Sequence, residues 1–274
     1  MKRSHRLVAL TNYFLKHPHE IVQLSYFAKK YTSSKSSISE DLKIVDHMFK
    51  HEGVGFLRRY PGVTGGIKYI PACTKEQAQS FVNELSSLLQ DPERILPGGY
   101  LYMSDILGNP KIMRQIGHIL ATAFAELDID VIMTVATKGI SLAHAVAYYL
   151  NVPVVIVRRD PKVTEGSSVS INYVTGSSRK IQTMVLPRRS LQADANVCIV
   201  DDFMEAGGTI NGMISMLNEF NANLKAIGVL AEADDAEDER IIEDYLSIIK
   251  ITSVDVDRQT IETTPGNLIK HLSV

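Results

Sequence analysis

Residues 197–210, VCIVDDFMEAGGTI, hold the densest set of chemically capable groups in this 274-residue chain. A Val/Ile run ends in Asp201 and Asp202. It then passes through Phe203, Met204, Glu205 and Ala206 and opens a helix at Gly207, Gly208 and Thr209. In a parallel sheet, ligands bind at the carboxyl ends of strands. Small residues at a helix start leave amides free to cradle an anion. Two adjacent carboxylates would repel a bare phosphate, so their use is to accept hydrogen bonds from vicinal hydroxyls such as those of a ribose. The string suits one molecule carrying both a sugar diol and a phosphate. The alternative is a strand, an acidic turn and a helix cap without a ligand.

A second concentration is electrostatic. Residues 1–75 hold 13 Lys and Arg against 5 Asp and Glu, a net +8, and five of the eight His. The remainder holds 16 against 26, a net −10. Such asymmetry points to a nucleic-acid-facing or membrane-facing part joined to a different module. The groups suited to phosphate are Lys2 and Arg3 at the start, Ser33, Ser34, Lys35, Ser36 and Ser37 around a helix start, and Arg58, Arg59 and Lys68 on a hairpin. Lys and Arg displace counterions, and small hydroxyls and helix-terminal amides dock phosphate oxygens. The competing reading is a small helical dimerisation domain with a solvated basic surface.

The elements that must position these groups follow from periodicity. Leu7, Leu10 and Phe14 keep helical spacing, as do Leu24, Phe27, Ala28 and Tyr31. A third helix is predicted from Ser37, with Glu40 completing a capping box and Gly53 stopping it. Strands at 55–60 and 67–70 flank PGVTGG. Helix, helix, helix, hairpin is the order of a winged helix-turn-helix, whose third helix enters the major groove. We place this unit at 1–74. From residue 75 to 274, helices near 75–90, 110–126, 139–150 and 207–220 alternate with Val/Ile strands at 130–136, 152–157, 196–201 and 225–231. That alternation predicts an α/β domain, a doubly wound parallel sheet covered on both faces. Residues 159–190 read as loop-rich, and the acidic run 232–244 as a solvated loop and helix start.

The remaining features exclude more than they assign. Cys73 and Cys198 lie too far apart for metal-ligand spacing, and no metal site is expected. The basic start lacks a long apolar segment, and the uncharged stretch 139–157 is broken by Asn151 and Pro153, so no signal peptide or membrane span is expected. A cytoplasmic location follows as an expectation. Tyr100 and Tyr102 could stack on a ligand base or start a strand. Arg158, Arg159 and Lys162, like Arg188 and Arg189, could meet a diphosphate, a DNA backbone or only solvent. His118 and His144 read as packed or surface histidines.

The 197–210 string resembles the phosphoribosyl pyrophosphate (PRPP) motif of type I phosphoribosyltransferases. The resemblance continues at ATKGI, 136–140, which is similar to that family's pyrophosphate loop. It implies that Ala136, Thr137, Lys138 and Gly139 meet the diphosphate, that Asp201 and Asp202 meet the ribose, that Ala206, Gly207, Gly208 and Thr209 form the 5′-phosphate cradle, and that Phe203, Met204 and Glu205 belong to the same effector site. Residues 167–183 stand where the family carries a loop that closes over the ligand. With the basic unit in front, nearly the whole chain resembles the purine operon repressors of Gram-positive bacteria. That resemblance implies a homodimer that represses purine biosynthesis genes by binding duplex DNA at their control sites. PRPP, with Mg²⁺, would be the inducer, and guanosine tetra- and pentaphosphate competing ligands. Catalytic relatives carry hydroxyl residues where this chain has Glu205 and Ala206, so binding without turnover is expected and no catalytic residue is assigned. The alternatives are a xanthine-type purine phosphoribosyltransferase with a regulatory extension and a nucleotide-sensing RNA-binding antiterminator.

Overall fold

The structure, a computed structural model, describes residues 1–62, 64–160, 166–174, 180–234 and 241–272. The first helices are α1 (Arg3–Lys16), α2 (Leu24–Lys30) and α3 (Lys35–His51). The wing is β1 (Gly55–Tyr60) paired antiparallel with β2 (Gly66–Pro71), Arg58 opposite Lys68 and Arg59 opposite Ile67. Leu10, Phe14, Phe27, Ile38, Leu42, Val45, Phe49, Ile67 and Tyr69 close a separate core. Each such burial contributes about 1.5–3 kcal/mol. Asp41 of α3 is fully buried and accepts from Arg3 Nε at 3.0 Å and Arg6 Nε at 2.5 Å, which ties α1 to α3. Removing one partner of such a buried group strands the others without compensation.

The third helix starts two residues earlier than its spacing predicts. Ser34 is the cap: its Oγ accepts from the Ser37 amide at 3.1 Å and lies 2.8 and 2.9 Å from the Ser36 and Ser37 hydroxyls. Every serine in 33–37 is a competent cap by type, so sequence cannot choose among them. The earlier start makes Lys35 the first helical residue.

The second unit begins with α4 (Lys75–Leu89), closed by a Thr74–Gln77 capping box, then α5 (Ser104–Leu107) and α6 (Pro110–Phe124). There follow β3 (Val131–Val135), α7 (Gly139–Leu150), β4 (Val154–Val157), β5 (Ser168–Val174), β6 (Ile181–Pro187), β7 (Asn196–Met204), α8 (Gly208–Glu219), β8 (Asn223–Ala233), β9 (Leu246–Asp255), β10 (Thr260–Pro265) and α9 (Leu268–His271). Among the described residues the main sheet runs β10-β9-β8-β7-β3-β4, parallel except for β10, which is bulged between Glu262 and Thr263. One face packs against α4, α6 and α7 through Leu85, Ile116, Leu120, Phe124, Leu142 and Val146. The other face packs against α8 and the β5–β6 hairpin through Met213, Met216, Tyr173, Met184 and Leu186. This is the two-faced α/β layering that the strand–helix alternation predicts.

The region expected to be loop-rich differs. Ser168–Val174 and Ile181–Pro187 pair antiparallel, Ser168 opposite Pro187. Polar residues alternate with Val169, Ile171 and Tyr173, and a hairpin half-buried on α8 needs no more than that. Its base is bridged to the end of β4, Arg158 N to Val185 O at 3.0 Å and Val185 N to Arg158 O at 2.7 Å. Residues 161–165, 175–179 and 235–240 lie outside the described residues, including Lys162, part of the 167–183 segment and the centre of the acidic run. Among the described residues no helix is long and apolar enough to cross a membrane.

The two units meet along β1, β2 and the ends of α6 and α7. Arg58 makes two bonds to Glu126, Nη1 to Oε2 at 2.7 Å and Nη2 to Oε1 at 2.5 Å. Gln77 Nε2 donates to the Glu52 carbonyl at 3.1 Å, and Asn151 Nδ2 to Glu20 Oε1 at 3.4 Å. Two histidines are trapped here. Burial lowers the pKa of His19 to about 4; the nearby Lys68 and Arg58 cations add to this, while Glu126 opposes it. Burial also takes His118, stacked 4.7 Å from the Tyr149 ring, to about 4. Neither Nε2 has a hydrogen-bond partner. The neutral forms are favoured in the folded state, so the unfolded chain binds more protons at mildly acidic pH. Stability is therefore full above pH about 6.5 and falls as the pH drops from there towards 4, by about 3 kcal/mol per histidine. Urea midpoints measured between pH 8 and 4.5 check this, and a His19→Gln, His118→Gln variant should show a flatter slope.

Candidate functional site

The chain leaves β3 for α7 on one face of the sheet and leaves the adjacent β7 for α8 on the other. Where neighbouring parallel strands send their helices to opposite faces, a crevice opens at their carboxyl ends. The 136–139 and 201–209 strings both fall at that point. Neither helix start has a side-chain cap: α7 begins after Lys138, and α8 after Gly207, whose φ of +85° suits glycine. No side chain therefore satisfies their first amides, although the Ile140 amide of α7 donates to the Thr137 carbonyl at 3.3 Å. The Ala136–Thr137 peptide is cis.

Asp201 ends the buried part of β7 and is 3% exposed, and its Oδ1 accepts from the Asp202 amide at 2.9 Å. Burial pushes the Asp201 carboxyl well above the usual range, and the Asp202 charge adds to the push. Burial raises Asp202 too, against the opposing pull of its bond with Asp201 and of the Lys138 cation. A pair that resists full ionisation repels a phosphate less than two free carboxylates would, and it can donate as well as accept towards a diol. Thr134 lies directly beneath, fully buried, its Oγ1 without a hydrogen-bond partner.

Lys138, Asp202, Phe203 and Glu205 line a cavity of about 920 Å³. Its far wall is the 96–101 segment, including Gly98, Gly99 and Tyr100, and Ile251–Val254 of β9. That wall is held by Arg94, which is 7% exposed, donates from both guanidinium nitrogens to Asp105 at 2.8 Å and also reaches the carbonyls of Leu88 and Tyr102. Tyr100 faces the cavity and Tyr102 is not among its lining residues. The contribution of β9 had no signal in the sequence, because Thr252 and Ser253 carry no distinctive spacing. Met204 and Ala206 are buried, the Ala206 carbonyl accepting from Ile241 at 3.2 Å, so they hold the turn rather than line the cavity. Thr209 sits in the first turn of α8.

The basic residues divide. Lys35 and Arg59 line one groove between the start of α3 and the wing tip, about 480 Å³, with Gln23, Ser25 and Gly62. The exposed Ser36 and half-exposed Ser33 and Ser37 stand at the same helix start. Arg59 donates to the Ser39 hydroxyl at 3.3 Å. Lys2 and Arg3 are exposed at the start of α1, Arg3 tethered to Asp41. Arg58 and Lys68, expected on phosphates, are not brought to that groove. Side chains alternate along a strand, so Arg58 and its cross-strand partner Lys68 share the face opposite Arg59. That face meets the second unit: Arg58 binds Glu126, and Lys68 lies 5.1 Å from the Tyr60 ring in the junction cavity.

Gly139 seals the 136–139 end of the crevice. A β-carbon there would fall 2.2 Å from Thr134 Oγ1 and 2.9 Å from Asp201 Oδ1. Gly139→Ala should displace the start of α7 and lower stability by about 1–3 kcal/mol. Thermal unfolding against the unchanged chain checks it.

Comparison with known proteins matches both units. The model of the bacterial purine repressor N-terminal domain covers residues 2–71, and that of the phosphoribosyl transferase domain covers residues 103–264. The chain is 55% identical over 269 residues to the purine biosynthesis transcriptional repressor PurR of Bacillus subtilis, spanning 98% of this chain and 94% of that one. It is 46% identical to the purine biosynthesis transcriptional activator PurR of Lactococcus lactis, spanning 98% of each. An adenine phosphoribosyltransferase of Thermoanaerobacter pseudethanolicus shares the fold, with a TM-score of 0.53 at 21% identity over 61% of this chain and 98% of that one. A winged unit with a basic groove, followed by a phosphoribosyltransferase fold with an acid pair at its switch point, places the chain in the bacterial purine repressor family.

Proposed function

We propose that the chain represses purine biosynthesis genes, gripping duplex DNA with the groove between α3 and the wing and taking PRPP as the inducer that weakens that grip. One observation carries the reading: a single chain holds both the Lys35–Arg59 groove and the crevice where Lys138 faces Asp202. Of the two regulators compared, the more similar one bears the name of a repressor. PRPP offers a diol for Asp201 and Asp202 and a diphosphate for Lys138 and the start of α7, which no side chain caps. Mg²⁺ favours one or two carboxylates plus phosphate oxygens and keeps its waters, so it would enter with the diphosphate. Guanosine tetra- and pentaphosphate present a ribose-linked diphosphate to the same groups and would compete. A homodimer doubles the DNA footprint.

Turnover is not part of this reading. Glu205 lines the cavity beside the phosphate cradle and brings a charge where a hydroxyl donor would orient the ligand. The enzyme reading draws on the retained acid pair and loop, and base-dependent PRPP consumption with xanthine, guanine, hypoxanthine or adenine decides between them.

Titration of a purine-gene control duplex with and without PRPP and Mg²⁺ tests the whole. PRPP should weaken DNA binding. Asp201→Ala with Asp202→Ala should abolish calorimetric PRPP binding, at about 1.5–3 kcal/mol per lost charge-assisted bond, while leaving DNA binding intact and unresponsive. Neutralising Lys35 or Arg59 should weaken binding to control and scrambled duplexes alike and lower the slope of log affinity against log salt by about one per lost contact. A salt series on both duplexes measures it.

A further inference from the structure

The helix that starts at the crevice ends on the DNA-binding unit. α7 begins at Lys138 and Gly139 and runs 12 residues, about 18 Å. It stops at Asn151, whose φ of +56° turns the chain and whose side chain reaches Glu20 of the winged unit at 3.4 Å. Its neighbour α6 lies against it backbone to backbone: a β-carbon on Gly117 would fall 2.6 Å from the Ala145 carbonyl. α6 runs on into Glu126, which holds Arg58 of the wing by two bonds. Asn151, Glu126 and Arg58 line one cavity of about 380 Å³ at the junction.

We propose that Glu126 and Asn151 are positioning residues: the α6–α7 pair carries ligand occupancy at Lys138–Gly139 to the wing through Glu126–Arg58 and Asn151–Glu20. The proposal rests on the regulator reading above. Helices packed with no intervening side chain cannot slide independently, and close-packed interiors pass displacement on rather than absorb it. A partly exposed ion pair adds little stability. A two-bonded guanidinium–carboxylate pair, however, fixes direction as well as distance. Here it fixes the strand that also carries Arg59, one residue along and on the opposite face, in the DNA groove. A small rotation of β1 driven from Glu126 therefore moves a groove residue without any contact between ligand and DNA.

The test uses the full chain, PRPP with Mg²⁺ as the ligand, and a control duplex. The coupling is the ratio of DNA dissociation constants with saturating and with no PRPP. Glu126→Gln removes the charge at constant shape. Asn151→Gly keeps the left-handed backbone and deletes the amide. Each should lower the coupling by about 2- to 30-fold and leave PRPP affinity in the DNA-free chain unchanged. Exchanging the charges, Arg58→Glu with Glu126→Arg, should restore coupling lost in Glu126→Gln. Wild-type coupling in both single variants overturns the proposal. So does a Glu126→Gln variant that binds control and scrambled duplexes more tightly to the same degree with and without PRPP, because Arg58 would then be a phosphate contact masked by Glu126. A wild-type chain whose DNA affinity ignores PRPP overturns the regulator reading itself, and the wild-type arm separates that failure from the other two.

Discussion

The parallel pairing of β3 with β7 is the constraint on which the rest of the molecule turns. Because α7 and α8 leave these neighbours for opposite faces, two uncapped helix starts and an acid pair meet at one edge of the sheet. The core on each side holds the strands in register: Ile132, Cys198 and Val200 belong to the α6–α7 face, while Met133, Val197 and Ile199 belong to the α8 face. The crevice is thus a consequence of how apolar residues alternate between two layers, and its acid pair sits at the end of a strand buried on both faces. The helix that opens at this edge also sets where the winged unit rests.

Electrostatics divides the molecule more finely than net charge suggests. The +8 of the first 75 residues is distributed over several tasks. Arg3 and Arg6 neutralise the buried Asp41, Arg58 meets Glu126, and Lys30 lies 5.1–5.8 Å from the rings of Tyr13, Tyr26 and Tyr31. Lys35 and Arg59 face the groove. Composition counts cations; strand pleat and helix phase decide which surface receives them.

Much of this was legible in the sequence. The acid-pair string and the ATKGI string each sit where a Val/Ile run gives way to a helix, and the strand–helix alternation announces the layered sheet. What was not legible has physical causes. Four serines with equal capping ability, at 33, 34, 36 and 37, hide the first residue of α3. Adjacent Arg58 and Arg59 look alike until the pleat sends them to opposite faces. The β5–β6 hairpin is only half-buried, so its polar alternation reads as loop. The β9 wall of the cavity is built from Ile251, Thr252, Ser253 and Val254, ordinary strand residues whose types carry no mark of a site.

The sheet has two free sides, and both are blunted. At β4 the Arg158–Val185 bridge folds the hairpin base over the end of the strand. At the other margin β10 is short, bulged at Glu262–Thr263 and terminated by Pro265, which offers no amide. Bulges, prolines and covering segments are the devices by which strands avoid accepting a stranger's backbone. These two edges are thereby poor templates for edge-to-edge pairing between copies of this chain.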